Sequence, residues 1–114
     1  MLETPKFVQG VFAFEGRGLE SPVSLAGATY TVPRDKRAQL TYLRAGNSTA
    51  EMIYVVLKRN GKPMRYFAVG AKGATHVPLV IVEDIDPESK LELWVGAPEG
   101  VRGSVLLDVG IVEI

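Results

Sequence analysis

The sequence predicts an all-β chain: a single-domain antiparallel β-sandwich, jelly-roll-like, of about eight or nine short strands. Three observations carry that expectation. Apolar residues recur with period two in short runs rich in Val, Ile, Tyr and Phe. Gly, Pro, Asn and Asp punctuate those runs at regular spacing. No stretch keeps helical spacing over three turns with a cap, so no substantial helix is expected. With 114 residues, 46% of them apolar, the chain is long enough to bury one core without metal or disulfide staples. Residues 1–114 are therefore read as one domain.

In chain order the strands are expected in KFVQGVFAFE, ATYTVP, RAQLTYLRA, EMIYVVLK, PMRYFAVG, HVPLVIVE, KLELWVGA and SVLLDVGIVEI. A single helical turn around Asp86-Pro87-Glu88 is compatible with the pattern. The strongest local signal is LKRNGKPMRY, because Asn60-Gly61 between two strand-like runs favours a type I′ hairpin turn, whose two central residues need positive φ. A two-residue turn there sets a register in which Leu57 faces Met64, Val55 faces Tyr66 and Ile53 faces Ala68 on one side of the ribbon. The other side then carries Met52, Tyr54, Val56, Arg65, Phe67 and Val69. Both sides are largely apolar, whereas a strand with one wet face should alternate. A loop of the same chain or a neighbouring subunit must cover the second face, and those six residues are the interface candidates.

KLELWVGA puts Leu91, Leu93 and Val95 on one face and Trp94 with Glu92 on the other. An outward Trp beside a carboxylate can stack a sugar ring, anchor a subunit contact, or pack under a loop. Trp94 and Glu92 are thus the candidate ligand-binding pair. In the last strand Asp108 shares the face of Leu106 and Val112, and Gly110 is read as the mark of a bulge.

GAKGATH, residues 70–76, resembles chemistry without supplying it. A phosphate-binding loop needs its lysine after the last glycine and a helix behind it; here Lys72 precedes Gly73 and a strand follows. His76, the one histidine, lacks the partners of a catalytic base or a metal site, and the segment reads as a strand-to-strand connection. VEDIDPES gathers Glu83, Asp84, Asp86 and Glu88, oxygen donors of the kind calcium takes, but without the glycine and spacing of an EF-hand; a solvated acidic turn is expected. Asn47-Ser48-Thr49 has the form of a glycosylation acceptor and is read as a polar turn.

Net charge is zero, yet unevenly laid out. Residues 34–72 carry nine basic groups against two acidic, net +7, and residues 73–114 carry two against eight, net −6. Either strands of the two halves lie side by side and neutralise each other, or a basic and an acidic surface meet between copies. A neutral chain lacks the positive balance of a phosphate-backbone reader, so nucleic acid is not an expected partner. No signal peptide is visible in MLETPKFVQG and no apolar run approaches membrane-spanning length, so a cytoplasmic protein, or a virion component if viral, is expected without membrane attachment. The absence of Cys removes disulfides and thiolate chemistry. Scarce Asn and Gln beside abundant Glu, Arg, Val and Gly point to a thermophilic source or a family bias.

With its penultimate strand KLELWV, the loop GAPEGVRG and the closing strand SVLLDVGIVEI, the layout resembles jelly-roll sandwiches of the carbohydrate-binding-module kind. That architecture also serves virus coat or decoration subunits and enzyme accessory subunits, so the resemblance implies fold and assigns no binding residue. The reading that follows is a non-catalytic protein acting through association, as a homo-oligomer or with a protein partner in a larger assembly. A carbohydrate or other small-ligand module is the alternative and an enzyme comes third; no cofactor or metal is implied.

Overall fold

A computed structural model describes residues 3–79 and 83–114. Nine strands are described: β1 (Thr4–Glu15), β2 (Gly18–Thr31), β3 (Ala38–Asn47), β4 (Ile53–Arg59), β5 (Lys62–Val69), β6 (Ala74–Pro78), β7 (Asp84–Ile85), β8 (Lys90–Ala97) and β9 (Arg102–Glu113). Among the described residues there is no helix, and so none long and apolar enough to cross a membrane. Two antiparallel sheets face each other, one ordered β1-β9-β3-β6 with β7 beside β3, the other β2-β8-β4-β5. The pairing is nested: first strand with last, second with next to last, then β3 with β6 and β4 with β5, the pairs alternating between sheets. This is the jelly-roll arrangement the sequence led us to expect.

Alternation builds the core. Val105, Leu107, Val109 and Ile111 of β9 point inward with Leu43 and Ala45 of β3, against Ile53, Val55 and Leu57 of β4 and Leu91, Leu93 and Val95 of β8. Each fully buried Val, Leu or Ile among them contributes about 1.5–3 kcal/mol of transfer free energy. The core face expected for the last strand is the one observed, and Asp108 lies on the opposite face with Leu106. The bulge expected at Gly110 sits across from it: the β3–β9 register slips between Leu40 and Tyr42, leaving Gly110 paired to Tyr42.

Two local readings change. At the hairpin, Asn60 and Gly61 have φ of 51° and 83°, the positive pair that a type I′ turn requires. The register expected from it holds only for the pairs Arg59–Lys62 and Lys58–Pro63; it then shifts by one residue, so Leu57 pairs with Arg65, Val55 with Phe67 and Ile53 with Val69. Pro63 has no N–H for the ladder, and a bulge beside it is the ordinary accommodation. One residue of slip exchanges the faces of β5. Phe67 and Val69, assigned from sequence to the second face, are core residues, 6% and 1% exposed. Tyr66 and Ala68 take the outer positions.

The second change concerns Asp86-Pro87-Glu88. In place of a helical turn there is a β-turn closed by Ser89 N donating to Asp86 O at 3.2 Å. Pro87 second and Glu88 third with φ of 67° follow the type II pattern. The strand expected over HVPLVIVE is described only through Pro78 as part of β6; residues 80–82 lie outside the described residues. Gly18–Gly27, which the sequence pattern leaves unassigned, forms most of β2, whose pairing with β8 is broken by register shifts between Gly18 and Val23 and between Ser24 and Thr29.

Candidate functional site

The hairpin's outer face is covered from within the chain only in part. Val56 is fully buried although it points away from the core, flanked across the strands by Trp94 and Tyr66. Tyr54 lies flat over Gly96, where a Cβ would sit 2.1 Å from its Cζ, and its hydroxyl donates to Leu19 O at 2.6 Å. Burial and the neighbouring Tyr66, whose ring centroid is 5.6 Å away, raise the Tyr54 pKa. The register-shifted start of β2 meets the ribbon through this hydrogen bond, while Tyr66 on the same face stays 63% exposed. Of the six interface candidates, Phe67, Val69 and Val56 are buried in the monomer, Tyr54 is partly buried, and Met52 is exposed just before β4. Arg65 is partly exposed and ion-paired with Glu83 at 3.1 Å. The six do not form one surface.

Trp94 and Glu92 do share an outer face, but the arrangement is closed. Lys58 Nζ stands 3.5 Å from the centroid of the Trp94 ring, a cation–π contact that occupies one face of the indole. Glu92 is the cross-strand partner of Lys58 and lies 4.0 Å from Lys90 Nζ. Trp94 Nε1 is buried with no hydrogen-bond acceptor among the described residues.

The acidic segment is likewise occupied. Glu83 pairs with Arg65, Asp84 with Arg37 at 3.9 Å, Asp86 with Arg59 at 3.1 Å and Glu88 with Arg34 at 3.0 Å. The carboxylates fan out to four different arginines, and among the described residues no group of three or more potential ligands converges on a metal position. Gly70–Gly73 is a turn closed by Gly73 N to Gly70 O at 3.0 Å, as the sequence implied. Asn47 Nδ2 holds it, donating to Gly70 O at 3.1 Å and to Glu51 O at 2.8 Å, which turns the expected polar turn Asn47-Ser48-Thr49 into a buried clasp.

What stands open is the outer face of the other sheet, and it is ordered in rows. Cross-strand partners place Val11, Leu106, Gly46 and Ala74 in one row, and Gln9, Asp108, Arg44 and His76 in the next. Phe7, Gly110, Tyr42 and Pro78 form a third. Val11 is 68% exposed, Phe7 55% and Leu106 51%, half of the exposed large apolar side chains among the described residues. Asp108 centres the polar row: Gln9 Nε2 donates to its Oδ1 at 3.0 Å, the Tyr42 hydroxyl donates at 2.9 Å, and Arg44 Nη1 is 3.7 Å from Oδ2. Those two hydrogen bonds, with Arg44 and His76 nearby, hold the Asp108 carboxyl below its ordinary range. Burial, then the bond to Asp108, raises Tyr42. His76 meets Tyr42 edge-on at 6.1 Å. Shallow troughs of about 310 and 360 Å³ adjoin over Gly46 and Ala74, with Leu106 as shared wall. Chemically the face offers apolar ridges, one fixed carboxylate held by a tyrosine hydroxyl, and two exposed nitrogen side chains. Sequence reasoning missed it, although KFVQGVFAFE shows the same doubly apolar alternation as the hairpin.

No family model and no curated protein matches the chain. Among solved structures, the CBM36-1 domain of a multidomain xylanase from the hindgut metagenome of Trinervitermes trinervoides superposes with a TM-score of 0.58 at 16% identity, covering 96% of both chains. Chains of infectious bursal disease virus match at 0.51 and 14% identity (Gt strain) and at 0.50 and 10% (Gx strain). Both matches cover nearly all of this chain and 33% of the viral one. The fold is a β-sandwich. At these identities the likeness extends to the fold alone.

Proposed function

We propose that this chain is a non-catalytic β-sandwich that works by association, docking another protein surface on the outer face of the β1-β9-β3-β6 sheet. The observation that carries the reading is the exposure of Phe7, Val11 and Leu106 on neighbouring strands of one face. Three large apolar side chains held open side by side on one sheet face mark a contact surface. The face is open and broad, which suits a protein partner better than a small ligand, since ligand pockets are enclosed on most sides. A structural or accessory subunit, including a virion coat or decoration component, fits this description. The test is sedimentation velocity and light scattering of the chain beside Leu106→Asp, with circular dichroism to confirm equal folding. Association is expected in the parent and lost in the variant; association unchanged by Leu106→Asp would remove the reading.

A second reading, a carbohydrate or small-ligand module, is favoured by the two adjoining troughs, which Arg44, His76, Lys72 and Thr75 line. Binding on a glycan array that is abolished by Arg44→Ala would establish it. Trp94 is not part of that proposal, because Lys58 covers its ring.

A further inference from the structure

Two rows of the exposed face differ between their β1–β9 half and their β3–β6 half. The β1 and β9 positions of the apolar row are Val11 and Leu106; the β3 and β6 positions are Gly46 and Ala74. Large side chains fill one half of the row and small ones the other. In the adjacent row the β1 and β9 half is Gln9 and Asp108, and the β3 and β6 half is Arg44 and His76. An amide and a carboxylate fill one half, a guanidinium and an imidazole the other. The third row places Phe7 at one end and Pro78 at the other, with the Tyr42 ring of β3 lying over Gly110 of β9 between them.

We propose that the occupant of this face is a second copy of the chain, related by a two-fold axis that lies in the interface, runs along the strands and passes between β9 and β3. This rests on the reading of the face as an association surface and names its partner. Such an axis exchanges the two halves of every row. Leu106 then faces Gly46 of the second copy, and Val11 faces its Ala74: ridges enter troughs, twice over. Asp108 faces Arg44 of the second copy while keeping its own Arg44 at 3.7 Å, so the two carboxylates and two guanidiniums alternate in sign around the axis. Phe7 lies against Pro78 of the second copy. No other pairing of halves does this; stacking like half on like half sets ridge on ridge and Arg44 on Arg44. Self-complementarity of one patch is what a two-fold contact requires.

Four strands spaced about 4.8 Å apart, over about seven residues at ~3.4 Å each, give a face on the order of 20 by 24 Å. That is roughly 480 Å² in projection, below the ~800 Å² per partner of a standard interface and in the range of weak, reversible association. Twist rotates aligned sheets by about 30°, so the match is closest near the axis, where Leu106, Gly46, Asp108 and Arg44 sit. The outer face of the other sheet has no such order: β2 is out of register along it, Trp94 lies under Lys58, Tyr54 is tied to Leu19 O, and Tyr66 is left exposed without a matching small-residue half.

The test uses the whole chain. Sedimentation equilibrium at roughly 1–100 µM should give about twice the 12.4 kDa chain mass. Asp108→Arg alone and Arg44→Asp alone each bring like charges together at both symmetry-related contacts, and each should weaken the dimer at least tenfold. Mixed in equal amounts the two variants should form a heterodimer. In that complex the guanidinium introduced in one copy meets the carboxylate introduced in the other, and the native Arg44 of the first meets the native Asp108 of the second. Because Asp108→Arg also removes an acceptor from Tyr42, a second measurement uses exposed positions only. Val11→Cys and Ala74→Cys copies, mixed, should join through a thiol cross-linker about 10 Å long, matching the ~10 Å between stacked sheets. Neither copy should cross-link alone, where the thiols are three strand spacings apart. A monomer throughout the concentration range overturns the second copy as occupant. A dimer dissociated by Leu106→Asp, yet without rescue on mixing and without mixed cross-links, overturns the two-fold pairing and leaves the association reading standing. A dimer indifferent to Leu106→Asp overturns both.

Discussion

Tyr30 joins the two sheets at one end of the sandwich. Its hydroxyl donates to Glu113 Oε2, and Glu113 is only 5% exposed, so this phenol is the recorded partner of a buried carboxylate. Burial first, then that hydrogen bond, raises the Tyr30 pKa above its ordinary value. A group whose folded pKa is raised stabilises the fold fully below its unfolded value and loses that contribution as pH climbs through the folded one. Thermal midpoints should therefore fall above about pH 10. Tyr30→Phe should flatten that decline, while costing about 1–3 kcal/mol at neutral pH because Glu113 loses its donor. Asp108 has the opposite sign. Held low first by Gln9 and then by Tyr42, its carboxylate contributes above the unfolded carboxyl pKa and ceases to as pH falls through the folded one. Titration of its carboxyl carbon by NMR should place it below the ordinary aspartate value, and Tyr42→Phe should move it up. An unmoved titration would mean the hydroxyl does not bond the carboxylate in solution.

At the scale of elements, each sheet has a tyrosine laid over a glycine on the neighbouring strand, Tyr54 over Gly96 and Tyr42 over Gly110, where an added Cβ would come within 2.1 Å of the ring. Gly96→Ala should cost about 1–3 kcal/mol by displacing Tyr54 from its bond to Leu19 O. Combined with Tyr54→Ala the two losses should fall short of their sum, because the clash disappears with the ring; simple additivity in denaturant melts would deny the contact. Gly110 reads from sequence as a bulge mark and Gly96 carries no reading of its own, since a cross-strand ring is invisible along the chain. The strands themselves were legible because period two and turn residues are local. The β4–β5 register was half legible. Asn60-Gly61 dictates the turn, but whether Pro63 forces a bulge depends on which face of β5 the opposite sheet must cover, and that is tertiary. Choosing Phe67 for the core and Tyr66 for the outside is settled by packing. The candidate site suffered similarly, for Val11 and Leu106 are 95 positions apart in sequence and become one ridge only through the pairing of first strand with last.

Across the whole molecule, the sign change of charge along the sequence is resolved inside the monomer. Five ion pairs among the described residues join the basic stretch 34–72 to the acidic stretch 73–114: Arg34–Glu88, Arg37–Asp84, Arg44–Asp108, Arg59–Asp86 and Arg65–Glu83. Four of them come from the short segment Glu83–Glu88, which lies beside the edge of β3 and reaches arginines in both halves of the sandwich. Singly, exposed pairs are worth about 0–1 kcal/mol. Together they offset the self-repulsion of a stretch carrying +7. Replacing the four acids with their amides should therefore lower stability by about 1–4 kcal/mol at low ionic strength. It should also reverse the salt response. In the parent, salt screens attractions and the thermal midpoint should drift down between about 0.01 and 0.3 M NaCl, as the Debye length shrinks from ~30 Å to below 8 Å. In the tetra-amide variant salt screens repulsion within the basic stretch, Arg34, Arg37 and Arg59 among its charges, and the midpoint should rise. Millimolar calcium should leave the parent's midpoint where magnesium leaves it, because the carboxylates diverge toward separate guanidiniums. A calcium-specific increase would show instead that the segment can release its arginines and close around a cation.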